Sequence, residues 1–213
     1  MKQFLAVTFF AVCACAPLAF AQKWEVGAGV GGDFYTSQTI SNPLGNADAS
    51  LAKGFAVSAW LANNTSQSLG GEMRYDFEKS DLKLSGQGTS ASFGAHTQAF
   101  HYDFLFHMAP PEAPVRPFIA AGGGVKLYSG TGTESEVQPL SSAAFLTKTS
   151  QIEGLISIGG GLKWTVGQSS QLRLEVHDYL TPFPKNVIAP AAGSKVGGWL
   201  QDFVVSVGIS FGV

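Results

Sequence analysis

The sequence predicts an all-β protein, an eight-stranded antiparallel up-and-down transmembrane β-barrel. Three observations predict it. The chain opens with an export signal, and the remainder alternates apolar and polar residues with charge held to one parity. The connections between alternating runs are long and short by turns.

Lys2 supplies a short positive region, Phe4 to Phe20 is apolar or small, and Ala19-Phe20-Ala21 has the small-x-small form of a signal-peptidase site. Residues 1–21 are therefore predicted to be a removed signal peptide, and 22–213 a single domain starting at Gln22. A membrane helix is the weaker reading of the leader, because no basic stop-transfer cluster follows it. Lipidation is weaker too: Val12-Cys13-Ala14-Cys15 lacks the larger aliphatic residue of the usual lipobox and carries a cysteine inside it. Both cysteines, Cys13 and Cys15, leave with the signal, which excludes a disulfide framework and a thiolate metal site. Export without disulfides suits a Gram-negative envelope protein.

The net charge is −2, and −3 once Lys2 is removed, so no basic face exists for nucleic acid. No segment after residue 21 reaches the roughly 20 uninterrupted apolar residues of a membrane helix. A chain of this kind crosses lipid only as a closed barrel, where every backbone group pairs with a neighbouring strand.

The strands follow in order. The first sets Trp24, Val26, Ala28, Val30, Gly32 and Phe34 against Glu25, Gly27, Gly29, Gly31, Asp33 and Tyr35. A second has Phe55, Val57, Ala59 and Leu61 on one face. The third sets Leu69, Gly71, Met73, Tyr75 and Phe77 against Glu72, Arg74, Asp76 and Glu78, and the fourth sets Phe100, Tyr102, Phe104 and Phe106 against His101, Asp103, Leu105 and His107. In the fifth, Ile119, Ala121, Gly123, Val125 and Leu127 alternate with Phe118, Ala120, Gly122, Gly124, Lys126 and Tyr128. The sixth sets Ile152, Gly154, Ile156, Ile158, Leu162 and Trp164 against Glu153, Ser157 and Lys163. The seventh sets Leu172, Leu174 and Val176 against Arg173, Glu175 and His177. The last sets Trp199, Phe203, Val205, Val207, Ile209 and Phe211 against Asp202, Ser206, Gly208, Ser210 and Gly212. Charges facing the core of a soluble sandwich would be costly without partners. A membrane barrel inverts the arrangement, with its apolar face to lipid and its polar face to the lumen.

The connections run 37–52, 63–67, 79–91, 108–115, 129–147, 166–170 and 181–197. Their alternation in length predicts four long extracellular loops, with short turns and both termini in the periplasm. Ser37 to Ser50 and Gly130 to Ser142, rich in turn-formers, are expected to be mobile. Two aromatic girdles are expected, Trp24, Phe106, Phe118, Trp164 and Phe211 at the periplasmic rim, and Phe34, Tyr35, Phe77, Tyr128, Tyr179 and Trp199 at the outer rim.

Four segments, in this order and spacing, carry a resemblance: Gly70-Gly71-Glu72-Met73-Arg74-Tyr75-Asp76-Phe77, the run from Val115 to Val125, Leu172-Arg173-Leu174-Glu175-Val176-His177-Asp178-Tyr179, and Val204 to Phe211. The mature chain resembles the small outer-membrane β-barrel domains of the OmpA-like/OmpW-like superfamily. The resemblance implies an internal ion-pair network, here Glu72, Arg74, Glu153, Arg173 and Glu175, acting as a static plug or as a gate. It also implies that the barrel-insertion machinery reads a C-terminal aromatic residue. Val213 is last here, with Phe211 two places earlier on the same face.

Other motifs are weaker. Gly27-Ala28-Gly29-Val30-Gly31-Gly32 matches a dinucleotide fingerprint, but no helical period follows to hold a pyrophosphate. His101 with Asp103, and Glu175 with His177, share faces and suggest a general base. Ser157 is the only plausible nucleophile, with no oxyanion donors indicated. Lys79, Lys83, Lys148, Lys185 and Lys195 either bridge lipopolysaccharide phosphates or form a solvated face. Inward glycines at Gly122, Gly124, Gly159 and Gly161 would thin one lumen wall. The expectation is a monomeric, non-enzymatic outer-membrane barrel without cofactor or metal, structural or surface-interactive in role. A narrow channel for small solutes is the second reading, and a lipid-modifying enzyme the third.

Overall fold

The computed structural model describes residues 24–43, 45–135 and 138–212, so the leader at 1–21 and the terminal Val213 lie outside the described residues. The strands are β1 (Trp24–Tyr35), β2 (Gln38–Asn42), β3 (Gly45–Leu51), β4 (Gly54–Asn63), β5 (Leu69–Lys79), β6 (Leu82–Gly86), β7 (Thr89–Phe93), β8 (Ala95–His107), β9 (Val115–Gly130), β10 (Ala144–Leu146), β11 (Ser150–Thr165), β12 (Ser170–Pro182), β13 (Ile188–Pro190) and β14 (Trp199–Gly212). No helix occurs among the described residues.

Eight of these strands, β1, β4, β5, β8, β9, β11, β12 and β14, close into one barrel. Each pairs antiparallel with the barrel strand that follows it in the chain, and β1 closes the ring on β14 with Val30 opposite Val207. The predicted faces survive intact. Along β8, Phe100, Tyr102, Phe104 and Phe106 are exposed while His101, Asp103, Leu105 and His107 are buried, and Phe104 is 70% exposed. A ring of exposed Val30, Val57, Met73, Ile119, Ile158, Leu174 and Val207 continues that wall around the barrel. Apolar outside and charged inside is the pattern of a sheet solvated by lipid.

Short turns at 64–68, 108–114 and 166–169 gather at the end that carries Trp24 and Gly212. The long segments 36–53, 80–94, 131–149 and 183–198 gather at the other end. Rather than forming irregular loops, they build a cap. Strands β2, β3, β6 and β7 make a four-stranded sheet, and β10 pairs with β13. Between these sheets lies an apolar core that includes Ile40, Leu51, Leu82, Leu84, Leu146 and Ile188. Burying each such side chain contributes about 1.5–3 kcal/mol; the core draws on β2 and β3 within Ser37 to Ser50, whereas 131–135 and 138–143 carry no strand. The β6–β7 turn uses left-handed backbone at Gln87 (φ 52°) and Gly88 (φ 75°), a two-residue hairpin geometry whose second position glycine adopts without a Cβ clash. Asn42 Nδ2 donates to Ser142 O and Ser194 Oγ, each at 2.8 Å, stitching separate segments together.

The aromatic girdles are thinner than expected. Trp24, Phe106, Trp164 and Phe211 are exposed at one rim, Phe34 and Trp199 at the other, and Phe77 is half-buried. Phe118, Tyr128 and Tyr179 are instead buried inside, and the hydroxyl of Tyr35 bonds lumen groups. Their parity dictates this, since each shares a face with a charged residue of its own strand.

A charged lumen as the candidate functional site

Nearest the short-turn mouth, Lys163 Nζ lies 2.6 Å from Glu25 Oε2, and Arg173 Nη1 lies 3.2 Å from Glu25 Oε1. The same Arg173 nitrogen reaches Glu72 at 2.7 Å, and Arg173 Nε pairs with Glu175. Arg74 completes the lattice, with Glu72 at 3.3 Å, Glu175 at 2.5 Å and Asp76 at 3.1 Å. Each guanidinium thus bridges several carboxylates, which suits its planar, multi-donor geometry. Four of the five expected network residues, Glu72, Arg74, Arg173 and Glu175, meet here. Glu153 does not. It is half-buried toward the cap end of β11, where Gln151 donates to it.

Trp60 is a further member, one that charge and motif do not single out. Its ring lies under both guanidinium groups, 5.2 Å from Arg74 Cζ and 4.4 Å from Arg173 Cζ, within cation–π range. Its parity, opposite to that of Val57, Ala59 and Leu61, turns it inward. Glycines make its seat, because a Cβ on either Gly27 or Gly208 would run into the indole. Gly27→Ala is expected to lower the unfolding free energy in detergent by about 1–3 kcal/mol through overpacking. Urea titration checks it, and the loss should shrink in a Trp60→Leu background; equal losses in both would detach the glycine from the ring.

Midway along the lumen, His101 Nδ1 is 3.1 Å from Asp103 Oδ1, and His101 Nε2 is 3.1 Å from the Tyr179 hydroxyl. Tyr179 donates to Asp76 at 2.8 Å. Ser157 Oγ donates to Asp103 Oδ2 at 3.0 Å and lies 3.5 Å from His177 Nδ1. A nucleophilic serine would give its proton to an imidazole, whereas this one gives it to a carboxylate. Ser157, Asp103, His101 and His177 are all buried, and their strands commit the backbone N–H groups to the barrel ladder. The cluster is a set of buried polar groups bonded mainly to one another, with His177 Nε2 left 3.7 Å from Glu175. The glycines expected to thin this wall seat it instead. Cβ atoms at Gly122, Gly124, Gly159 and Gly161 would press on Asp103, His101, His177 and Glu175 respectively. The fingerprint-like glycines from Gly27 to Gly32 lie wholly within β1.

Beneath the cap, Lys126 Nζ sits 2.8 Å from Glu78 and 2.5 Å from Asp202. Glu78 also accepts from Tyr35 and Thr97, each at 2.5 Å, and Ser80 donates to Asp33. Tyr128 and Thr181 hydroxyls bond at 2.7 Å. Alternation places Lys126, Glu78 and Asp202 on inward faces but does not join them, because β5, β9 and β14 meet only across the closed barrel.

At the opposite end, a half-open vestibule of about 360 Å³ is lined by Trp24, Glu25, Asn64, Glu112, Arg116 and Gln171, among others.

No protein-family model matches the chain, and no curated protein matches it in sequence. Solved structures match in fold. Neisserial surface protein A (NspA) is 14% identical with a TM-score of 0.56, the match covering 90% of this chain and 97% of that one. The outer membrane protein OprG from Pseudomonas aeruginosa is 9% identical with a TM-score of 0.53, covering 90% and 98%. The chain has the fold of the small eight-stranded outer-membrane barrels.

Proposed function

We propose that this chain, built on the fold of the small outer-membrane barrels, is an integral outer-membrane protein that works through its capped surface end. The observation that carries this reading is the filled lumen. Charged side chains from Glu25 and Lys163 at one mouth to Lys126 and Asp202 at the other are buried in mutual contact, and the apolar cap core lies beyond them. Eight strands leave an interior only wide enough for side chains, so a permanent water path has no room beside this network. The role is structural or surface-interactive, without catalysis. Ser157, Asp103, His101 and His177 are buried, which argues against substrate access.

In this reading the short turns and both termini face the periplasm, and the cap faces outward. Lys79, Lys83, Lys148, Lys185 and Lys195 then stand at the level of lipopolysaccharide phosphates, joined by Lys53, whose ammonium lies 5.5 Å from the Phe34 ring centre. Phe211, exposed on the outer wall of β14, is the aromatic residue offered to the barrel-insertion machinery.

Purified protein in planar bilayers is expected to give no discrete conductance steps. Reproducible single-channel openings would replace the plugged reading with a narrow channel. Cell fractionation with protease added to intact cells tests the orientation, with cleavage expected only within the cap segments.

A further inference from the structure

The vestibule at the short-turn mouth contains a buried cation of an unusual kind. Arg74, Lys126, Lys163 and Arg173 each pair with carboxylates. Arg116 is buried too, yet its hydrogen bonds go to backbone carbonyls alone, Nε to Ala109 O at 3.0 Å and Nη2 to Gln67 O at 2.7 Å. It makes no ion pair with a carboxylate among the described residues. The carboxylates of Glu25 and Glu112 act on it only from beyond ion-pair distance, so the guanidinium keeps donors free to take an anion within the vestibule.

The other lining groups narrow the class of anion. Asn64 Oδ1 and Gln171 Oε1 are buried acceptors without a donor among the described residues. The carboxylates of Glu25 and Glu112 line the same space. Acceptors and acids beside one cation disfavour sulfate or phosphate, which carry charge and no N–H. They favour a ligand that combines one carboxylate with N–H donors. A volume of about 360 Å³ accommodates a ligand of two or three small residues. We propose that the vestibule binds the free carboxyl end of a short peptide, with the carboxylate on Arg116 and the amide or amine N–H groups on Asn64, Gln171 and the flanking acids. This site is independent of the direction in which the barrel faces and of any role for the cap.

Calorimetry and ¹H–¹⁵N spectra of the whole protein in detergent micelles test it with three probes: the dipeptide Ala-Ala, its C-terminally amidated form, and free alanine. Ala-Ala should bind and shift the Trp24 indole and the Asn64 and Gln171 side-chain amide signals. The amidated form should bind about tenfold or more weakly, the loss of one charge-assisted hydrogen bond. Comparable binding of free alanine would assign the site to amino acids, and overturn the peptide assignment. Arg116→Gln should weaken Ala-Ala by a similar factor. Because Arg116 also ties two turns together, Glu112→Gln provides a milder variant, expected to weaken Ala-Ala binding severalfold by removing a carboxylate that takes its amine N–H groups; tighter binding would overturn the arrangement. Equal binding of the acid and amide forms, or no binding of Ala-Ala to folded protein at millimolar concentration, would overturn the proposal.

Discussion

Arg173→Met is expected to destabilise the folded barrel by about 3–5 kcal/mol, the largest loss for a single lumen substitution. Methionine fills much of the same volume, so the loss is electrostatic. Glu25, Glu72 and Glu175 all lose a partner at once, and Arg74 and Lys163 are left to serve them. The ring contacts of the guanidinium with Trp60 and with Phe118, 5.1 Å away, disappear as well. Reversible urea unfolding in micelles measures the effect, and adding Glu72→Gln should recover part of it. A loss under about 1 kcal/mol would mean that the network is hydrated and exchangeable, as a surface pair is.

A second large effect belongs to the outer wall. Val207 lies between Val30 on β1 and Leu174 on β12, midway along β14, with its side chain exposed. Val207→Arg should destabilise the protein in lipid vesicles by about 2–4 kcal/mol, the penalty for arginine at the middle of a bilayer. Thr165→Arg, at the short-turn rim, should lose about 0–1 kcal/mol. If both behave alike, the exposed ring of aliphatic residues does not face acyl chains.

Much of this architecture is legible in residue parity. Alternation identifies all eight barrel strands and the face each residue takes, because a pleated strand has a side-chain period of two. The same rule holds further information. Tyr35, Phe118 and Tyr128 share faces with Asp33 and Lys126, so their parity assigns them to the lumen, although their chemistry suggests a headgroup girdle. Trp60 likewise falls on the face of Ser58. Parity does not fix height along the axis or the partner across the barrel, and both depend on strand tilt and register. That is why the sequence groups Glu153 with Glu72 and Arg173, and why it is silent on the contacts of Lys126 with Glu78 and Asp202. The cap is hidden for another reason. Its strands are three to seven residues long and rich in serine, threonine and alanine, and they acquire an apolar core only when four distant segments converge.

That convergence ties surface architecture to completion of the molecule. Each hairpin of the barrel delivers one excursion, and the four-stranded sheet draws on residues before β4 and before β8 while β10 and β13 arrive from the later half. A partially threaded chain has no complete set of these pieces. A conformation-specific antibody against the assembled crown would therefore count finished molecules and ignore intermediates, and transplanting a single excursion into another barrel would carry over its residues without their shape.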